Sequence, residues 1–284
     1  MGRRGARAPR GLPPWLKVGV LQAATNLAGS RGEHKRALAF SKQAWAILPR
    51  VGDPQIACDV MMTDGILGSQ RGDLDYARAA MEDVVRVARE HNLRDLSTAW
   101  VNLGDIAIEQ GRLDEGRALL DEALACSEGS TSNADLVALI NLSEIAALQG
   151  RHRDDASLGR NALAAALDRG DQLRAVWATF HLAWALAELG ELERSGRLIG
   201  TSTAFLETAG FARSRSDLLC EQGVHDALHR QLPADAVHTL VQQGRDTPLD
   251  KALNNALTET PPLSQTMPLT RPDHPADVSR QPAS

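Results

Sequence analysis

Near the C-terminal end of the chain stand three residues whose types and spacing could ligate a metal. His225 and His229 are related as i and i+4, which places both imidazoles on one helix face as a zinc site requires, and Cys220 precedes them by five residues. No fourth ligand is suitably spaced, and the His-Asp-Ala-Leu-His run lacks the glutamate of an HExxH zinc helix. The pattern reads as an ordinary polar helix face, and no metal or other cofactor is expected. Gly200-Thr201-Ser202-Thr203 has the small and hydroxyl residues of a phosphate cradle but no lysine, and its setting is mid-helix. There is no GxSxG elbow, no cysteine beside a base in sequence, and no carboxylate pair off a solvated helix face. The chemistry-bearing residue types are thus read as structural, and the chain as a non-enzyme.

The elements that would position these residues follow from a period. Five glycines flanked by charge or glutamine recur in Arg31-Gly32-Glu33, Arg71-Gly72-Asp73, Gln110-Gly111-Arg112, Gln149-Gly150-Arg151 and Leu189-Gly190-Glu191. Their spacings are 40, 39, 39 and 40 residues. Glycine accepts the positive φ at which helices commonly end, so each marks a tight turn between two helices. Eight residues before the last three glycines stand Leu103, Leu142 and Leu182. Seven before the last four stand Gly65, Gly104, Ser143 and Ala183, small enough for close helix approach. Five residues after come Ala37, Ala77 and Gly116. Asp155 and Ser195 depart from that pattern, with Ala156 and Gly196 one place on.

A large and small pair, a turn glycine and a small residue early in the second helix resemble the tetratricopeptide (TPR) pattern, with Trp100 where that family often has an aromatic. The resemblance covers residues 16–208 in five repeats. It implies an all-α, right-handed TPR-like α-solenoid, residues 15–208, with helices longer than the family's usual 34-residue unit allows. Hydrophobic residues at 43% and aromatics at 4% agree with close-packed helices. Helices over 217–231, 234–243 and 248–257, within a capping region 209–258, are expected to seal the last repeat.

A narrower resemblance rests on Arg197-Leu198-Ile199-Gly200, the segment Leu219–Leu228, and the run from Val241 through Gln243-Gly244-Arg245 and Thr247-Pro248-Leu249 to Ala252-Leu253. These look like the C-terminal TPR-like region of large bacterial signal-transduction ATPases, including LuxR-like and SARP-like transcription regulators. There the repeats sense an inducer or a partner. The GxxxxGK[ST] loop and a DNA-reading helix pair are missing, so the resemblance implies a sensor array apart from its ATPase and output modules.

The net charge of −5 is uneven. Arg3, Arg4, Arg7, Arg10 and Lys17 put +5 on the first 17 residues and leave −10 on the rest, a body that repels nucleic-acid backbones. Residues 1–14 are expected to be a disordered basic arm, and 259–284, with six of the thirteen prolines, a disordered tail. Cys58, Cys126 and Cys220, an odd number without a CxxC pair, fit a reducing cytoplasm. No stretch has the length or apolarity of a membrane span or secretory signal.

In a TPR stack the first helix of each pair lines the concave face. By that resemblance the groove comprises Asp59 and Thr98, then Asn26, Asp105, Glu144 and Trp184, then Gln70, Glu109 and Glu188, with Trp177 nearby. It is acidic, without lysine or arginine, and ends in two tryptophans. A protein or peptide partner with basic side chains is the leading expectation. Thr63, Asn102, Asn141 and His181 form a further polar row, fit to hold a peptide backbone or to join adjacent repeats. The alternative is a small-molecule inducer held in a closed pocket near the tryptophans. Self-association is also expected, through an apolar face of the first repeat that includes Val18 and Leu21.

Overall fold

A computed structural model describes residues 11–93, 96–127 and 133–258. Residues 1–10 of the expected basic arm, the tail, and residues 94–95 and 128–132 between repeats lie outside the described residues, while Pro14, the last residue of that expected arm, opens the first helix. Thirteen α-helices and no strands occur among those described. Five antiparallel pairs come first: α1 (Pro14–Ser30) with α2 (His34–Ile47), α3 (Pro54–Gln70) with α4 (Leu74–His91), α5 (Leu96–Glu109) with α6 (Leu113–Cys126), α7 (Ala134–Leu148) with α8 (His152–Asp168), and α9 (Gln172–Glu188) with α10 (Leu192–Ala209). Three more helices follow: α11 (Arg215–His229), α12 (Ala234–Arg245) and α13 (Leu249–Thr258). The architecture is an all-α, TPR-like solenoid with a C-terminal helical cap.

The five periodic glycines all adopt positive φ, from +70° to +88°, between the paired helices. A second set sits between repeats: Gly52, Gly170 and Gly210, and Asn92 at φ 51°, which ends α4 in the left-handed region. Within each pair the small positions are where the helices cross. A Cβ on Gly65 would press on Met81 and Ala80, and one on Gly116 would come within 3.2 Å of the Gly104 carbonyl oxygen. Asp155 and Ser195 keep this register; the pattern does not slip one place. Ser143 donates to the Asp155 carbonyl oxygen at 3.0 Å and contacts its carboxyl, while Ser195 donates to the Ala183 carbonyl at 2.7 Å. Polar side chains there replace bare glycine contact with hydrogen bonds. Gly196 instead faces α12, where a Cβ would meet Leu240.

The largest apolar cluster runs through α7 to α13 and includes Leu163, Phe180, Leu182, Ile199, Leu206, Cys220 and Leu228. Smaller clusters join α3, α4 and α5 around Met81 and Leu103, and α5, α6 and α7 around Leu120 and Ile145. Burial of such side chains is the main stabilising term, worth roughly 1.5–3 kcal/mol each. At the N-terminal end Val18 is fully buried against Ala44 and Val60, with Leu21 half-buried in the same cluster. The exposed large apolar residues of α1 are Trp15, Val20 and Leu27, with Leu12 exposed just before the helix. The face expected from Val18 and Leu21 is therefore an interior one, because those two point toward repeats one and two.

Candidate functional site

Helix α11 lies against α9, along the C-terminal half of α9. Ser216 at the start of α11 donates to Glu144 at 2.6 Å and lies 3.3 Å from His181 Nε2. One turn on, Cys220 Sγ is 3.4 Å from His181 Nδ1. Further along, Gly223 sits on the Trp184 ring so closely that a Cβ would enter it. After the helix ends, Arg230 donates to both Glu188 carboxylate oxygens at 2.7 Å. Gly223 is what lets the helix lie flat over the indole.

The segment leading into α11 extends this contact to the first repeat. Ala212 N–H donates to the Ser30 carbonyl at the end of α1, at 2.8 Å. Arg213 stacks over Phe180 at 5.4 Å and pairs with Glu221. Ser214 caps α11 in a capping box with Asp217, each side chain bonding the other's backbone N–H. Arg215 approaches Glu144 at 3.8 Å. The basic side chains expected of a partner are thus supplied in part by the chain itself.

Four acids meet beneath this segment. Burial, with Glu144 and Glu109 adding repulsion, pushes the Asp105 carboxyl up to about 7 against the pull of Arg215. Burial likewise raises Glu109 and Glu144; Arg215 opposes the rise at both, and Ser216 does so at Glu144. Asp155 is fully buried and is pushed up to about 8, chiefly by burial, while its bond to Ser143 acts the other way. A single Ser143 hydroxyl proton cannot satisfy both Asp155 oxygens. A protonated Asp155 resolves this by donating to Ser143 Oγ while Ser143 donates to the Asp155 carbonyl. Burial drives His181 down to about 4 despite Asp217 and raises the Cys220 thiol. A neutral imidazole beside a protonated thiol forms hydrogen bonds, not a thiolate-imidazolium pair.

Each expected groove residue has a definite place. Asn26 is exposed, and Asp59 on α3 and Thr98, Asn102, Asp105 and Glu109 on α5 are half-buried. Gln70 lies over Gly29 of α1. Asn102 donates to the Thr98 carbonyl of its own helix at 2.9 Å. Asn141, Glu144 and His181 are buried, and Asn141 Nδ2 has no hydrogen-bond partner. Trp177 and Trp184 are half-buried and packed on the C-terminal cluster, while Glu188 holds Arg230. Of the residues weighed for a metal, Cys220 turns inward to His181, and His225 and His229 stack with ring centroids 6.2 Å apart. Thr201 and Ser202, weighed for phosphate, are buried in helix contacts: Thr201 donates to Gly244 O at 2.7 Å, and Ser202 lies 2.7 Å from Thr179.

Sequence reasoning missed Arg213, Arg215 and Ser216, whose Arg-Ser-Arg-Ser run was the available signal. It also missed a recess of about 500 Å³ between α2 and the turn of the second repeat, lined by Leu38, Lys42, Trp45, Arg71 and Tyr76. Asp64 at its wall accepts from Ser41 at 2.6 Å and from the Tyr76 hydroxyl, fastening α2 to α3 and α4.

A family model described as tetratricopeptide repeat matches residues 95–168, the third and fourth repeats. No curated protein matches the chain. Among solved structures, BtubC (BKLC) from P. vanneervenii is 15% identical with a TM-score of 0.53, over 71% of this chain and 84% of that one. A signal-transduction ATPase with numerous domains and a tetratricopeptide repeat sensor, from Pyrococcus horikoshii, is 12% identical with a TM-score of 0.52. The alignment takes in 82% of this chain but 39% of that one. The chain therefore has a TPR-like fold, its third and fourth repeats matched by the family model, and resembles in fold part of a signal-transduction ATPase that bears a tetratricopeptide repeat sensor.

Proposed function

We propose that this chain is a non-enzymatic scaffold that takes a segment of a protein partner along the concave face of its first three repeats. TPR repeats in general mediate protein interactions, and this reading locates that role. The observation that carries it is the contrast between the two halves of the groove. Asp59, Thr98, Asn102 and Glu109 reach solvent, whereas Asn141, Glu144 and His181 are buried, the last two against α11. The open row has acids and amides and takes no cation from the first three repeats, Arg215 before α11 serving its inner end only, so a partner with basic side chains is favoured. Such charges steer encounter and set specificity more than affinity. The sensor role of the repeats in the P. horikoshii ATPase, as its description states it, supports a place for this chain in a regulator. An inducer pocket beside Trp177 and Trp184 receives less support, since Gly223 already occupies the face of the Trp184 ring.

The test is affinity capture from lysate with wild type against an Asp59→Lys, Glu109→Lys double variant whose thermal unfolding matches wild type. These two sites reach solvent, unlike Glu144, where a lysine would be buried. A protein retained by wild type and lost by the variant supports the groove. Retention of the same proteins by both overturns it.

A further inference from the structure

We infer that the outward face of α1 is a self-complementary surface on which two copies of this chain pair antiparallel. α1 is apolar almost all round. Its inward stripe, Val18, Leu21, Thr25 and Ala28, packs on α2 and α3. Trp15, Val20 and Leu27 on the remaining surface are 56%, 54% and 57% exposed, and Leu12, just before the helix, is 53% exposed; together they are four of the nine large apolar residues left exposed among the described residues. A helix apolar on both faces is one that is covered on both.

The occupant follows from the order of side chains along that face. At 100° per residue the direction opposite the inward Leu21 is occupied by Gly19 and Ala23, with Trp15 on one flank and Leu27 on the other. Gly19 and Ala23 lie two residues either side of Leu21, and Trp15 and Leu27 lie six either side. A twofold axis through the level of Leu21 therefore brings Trp15 of one copy over Leu27 of the other, and Gly19 over Ala23. The bulky residues flank and the small ones meet at the centre, where a Cβ on Gly19 would find nothing within 4 Å. That open notch lets the two backbones approach, as small residues do in close helix pairs.

Charge selects the same occupant. Lys17 is the one charged residue exposed on α1, whereas the chain beyond it carries −10. Two acidic copies repel across their other faces and meet here without acid opposing acid. A single helix pair, about 26 Å long, is a small interface, so association in the micromolar range is expected.

Sedimentation equilibrium of the full chain, from nanomolar to high micromolar, tests this. A reversible monomer–dimer equilibrium is expected. Trp15→Lys and Leu27→Glu should each weaken it by tenfold or more with unfolding curves unchanged, since both sites are exposed. In one chain these positions are 12 residues, or about 18 Å, apart and cannot pair. Across the twofold they face each other, so the double variant Trp15→Lys, Leu27→Glu should recover association and make it salt-sensitive. A monomer at every concentration, or a dimer indifferent to Trp15→Lys, overturns the inference, and either result leaves the concave groove untouched.

Discussion

Gly200 and Gly244 meet where α10 and α12 cross with their backbones in contact. A Cβ on Gly200 would strike the Val241 carbonyl oxygen, and one on Gly244 the Arg197 carbonyl oxygen. Thr201 adds a hydrogen bond to Gly244 O across the same crossing. Alanine in a helix interior is ordinarily better than glycine by about 0.5–1 kcal/mol. Here the sign reverses: Gly244→Ala and Gly200→Ala should each lower stability by about 1–3 kcal/mol, the cost of overpacking, in urea unfolding.

Gly111 isolates the opposite kind of glycine. Its φ is +75°, and a Cβ there would meet nothing within 4 Å. Gly111→Ala should cost about 1 kcal/mol through backbone strain alone. Asn92→Gly, at the one non-glycine position in this conformation among the described residues, should be neutral or gain a few tenths of a kcal/mol.

The two arginine–glutamate contacts of the groove differ in depth. Arg230 and Glu188 are exposed enough that Arg230→Ala should change stability by less than about 1 kcal/mol. Glu144 is buried and accepts from Ser216, so Glu144→Ala strands the Ser216 hydroxyl and should cost about 1–3 kcal/mol. Hydrogen exchange at the N-terminal turn of α11 should quicken in Glu144→Ala only.

Stability should fall as pH rises above neutrality. Folded Asp155 holds its proton to about 8 and Asp105 to about 7, while both release it near the ordinary 3.8 when unfolded. Between those limits the folded state binds more protons, so raising pH favours unfolding. His181 acts oppositely between about 4, folded, and 6.5, unfolded, where raising pH favours folding. Above 6.5 only the acids remain. Denaturation midpoints should therefore decline from pH 6.5 to 8, and Asp155→Asn should flatten the decline; an unchanged slope would show that Asp155 is ionised throughout.

Much of the fold was legible because positive φ after a helix has few side-chain solutions. Gly32, Gly72, Gly111, Gly150 and Gly190 announced their turns and, by spacing, the repeat. The turns between repeats were not legible as a set, since Asn92 serves where Gly52, Gly170 and Gly210 do elsewhere. Asp155 read as a departure because a buried carboxyl at a small-residue position makes sense only with Ser143 opposite it. The acids Asp105, Glu109 and Glu144 stood out in the sequence, but the coverage of Glu144 by α11 did not. Glu144 and Ser216 are 72 residues apart, and a contact at that separation leaves no periodic trace. Arg215 likewise belongs to no repeat, so a scan of groove positions passes over it.

The bond from Ala212 N–H to Ser30 O bears on how the chain folds. Most helix-repeat arrays are one-dimensional: each unit touches its neighbours, and folding starts anywhere and spreads. Here the segment after the last repeat closes on the end of the first helix, so that contact forms only once every intervening repeat is in place. Its loop-closure entropy falls at the end of the folding reaction, and the end repeats, tied to each other, lose the independent fraying open to an unclasped array.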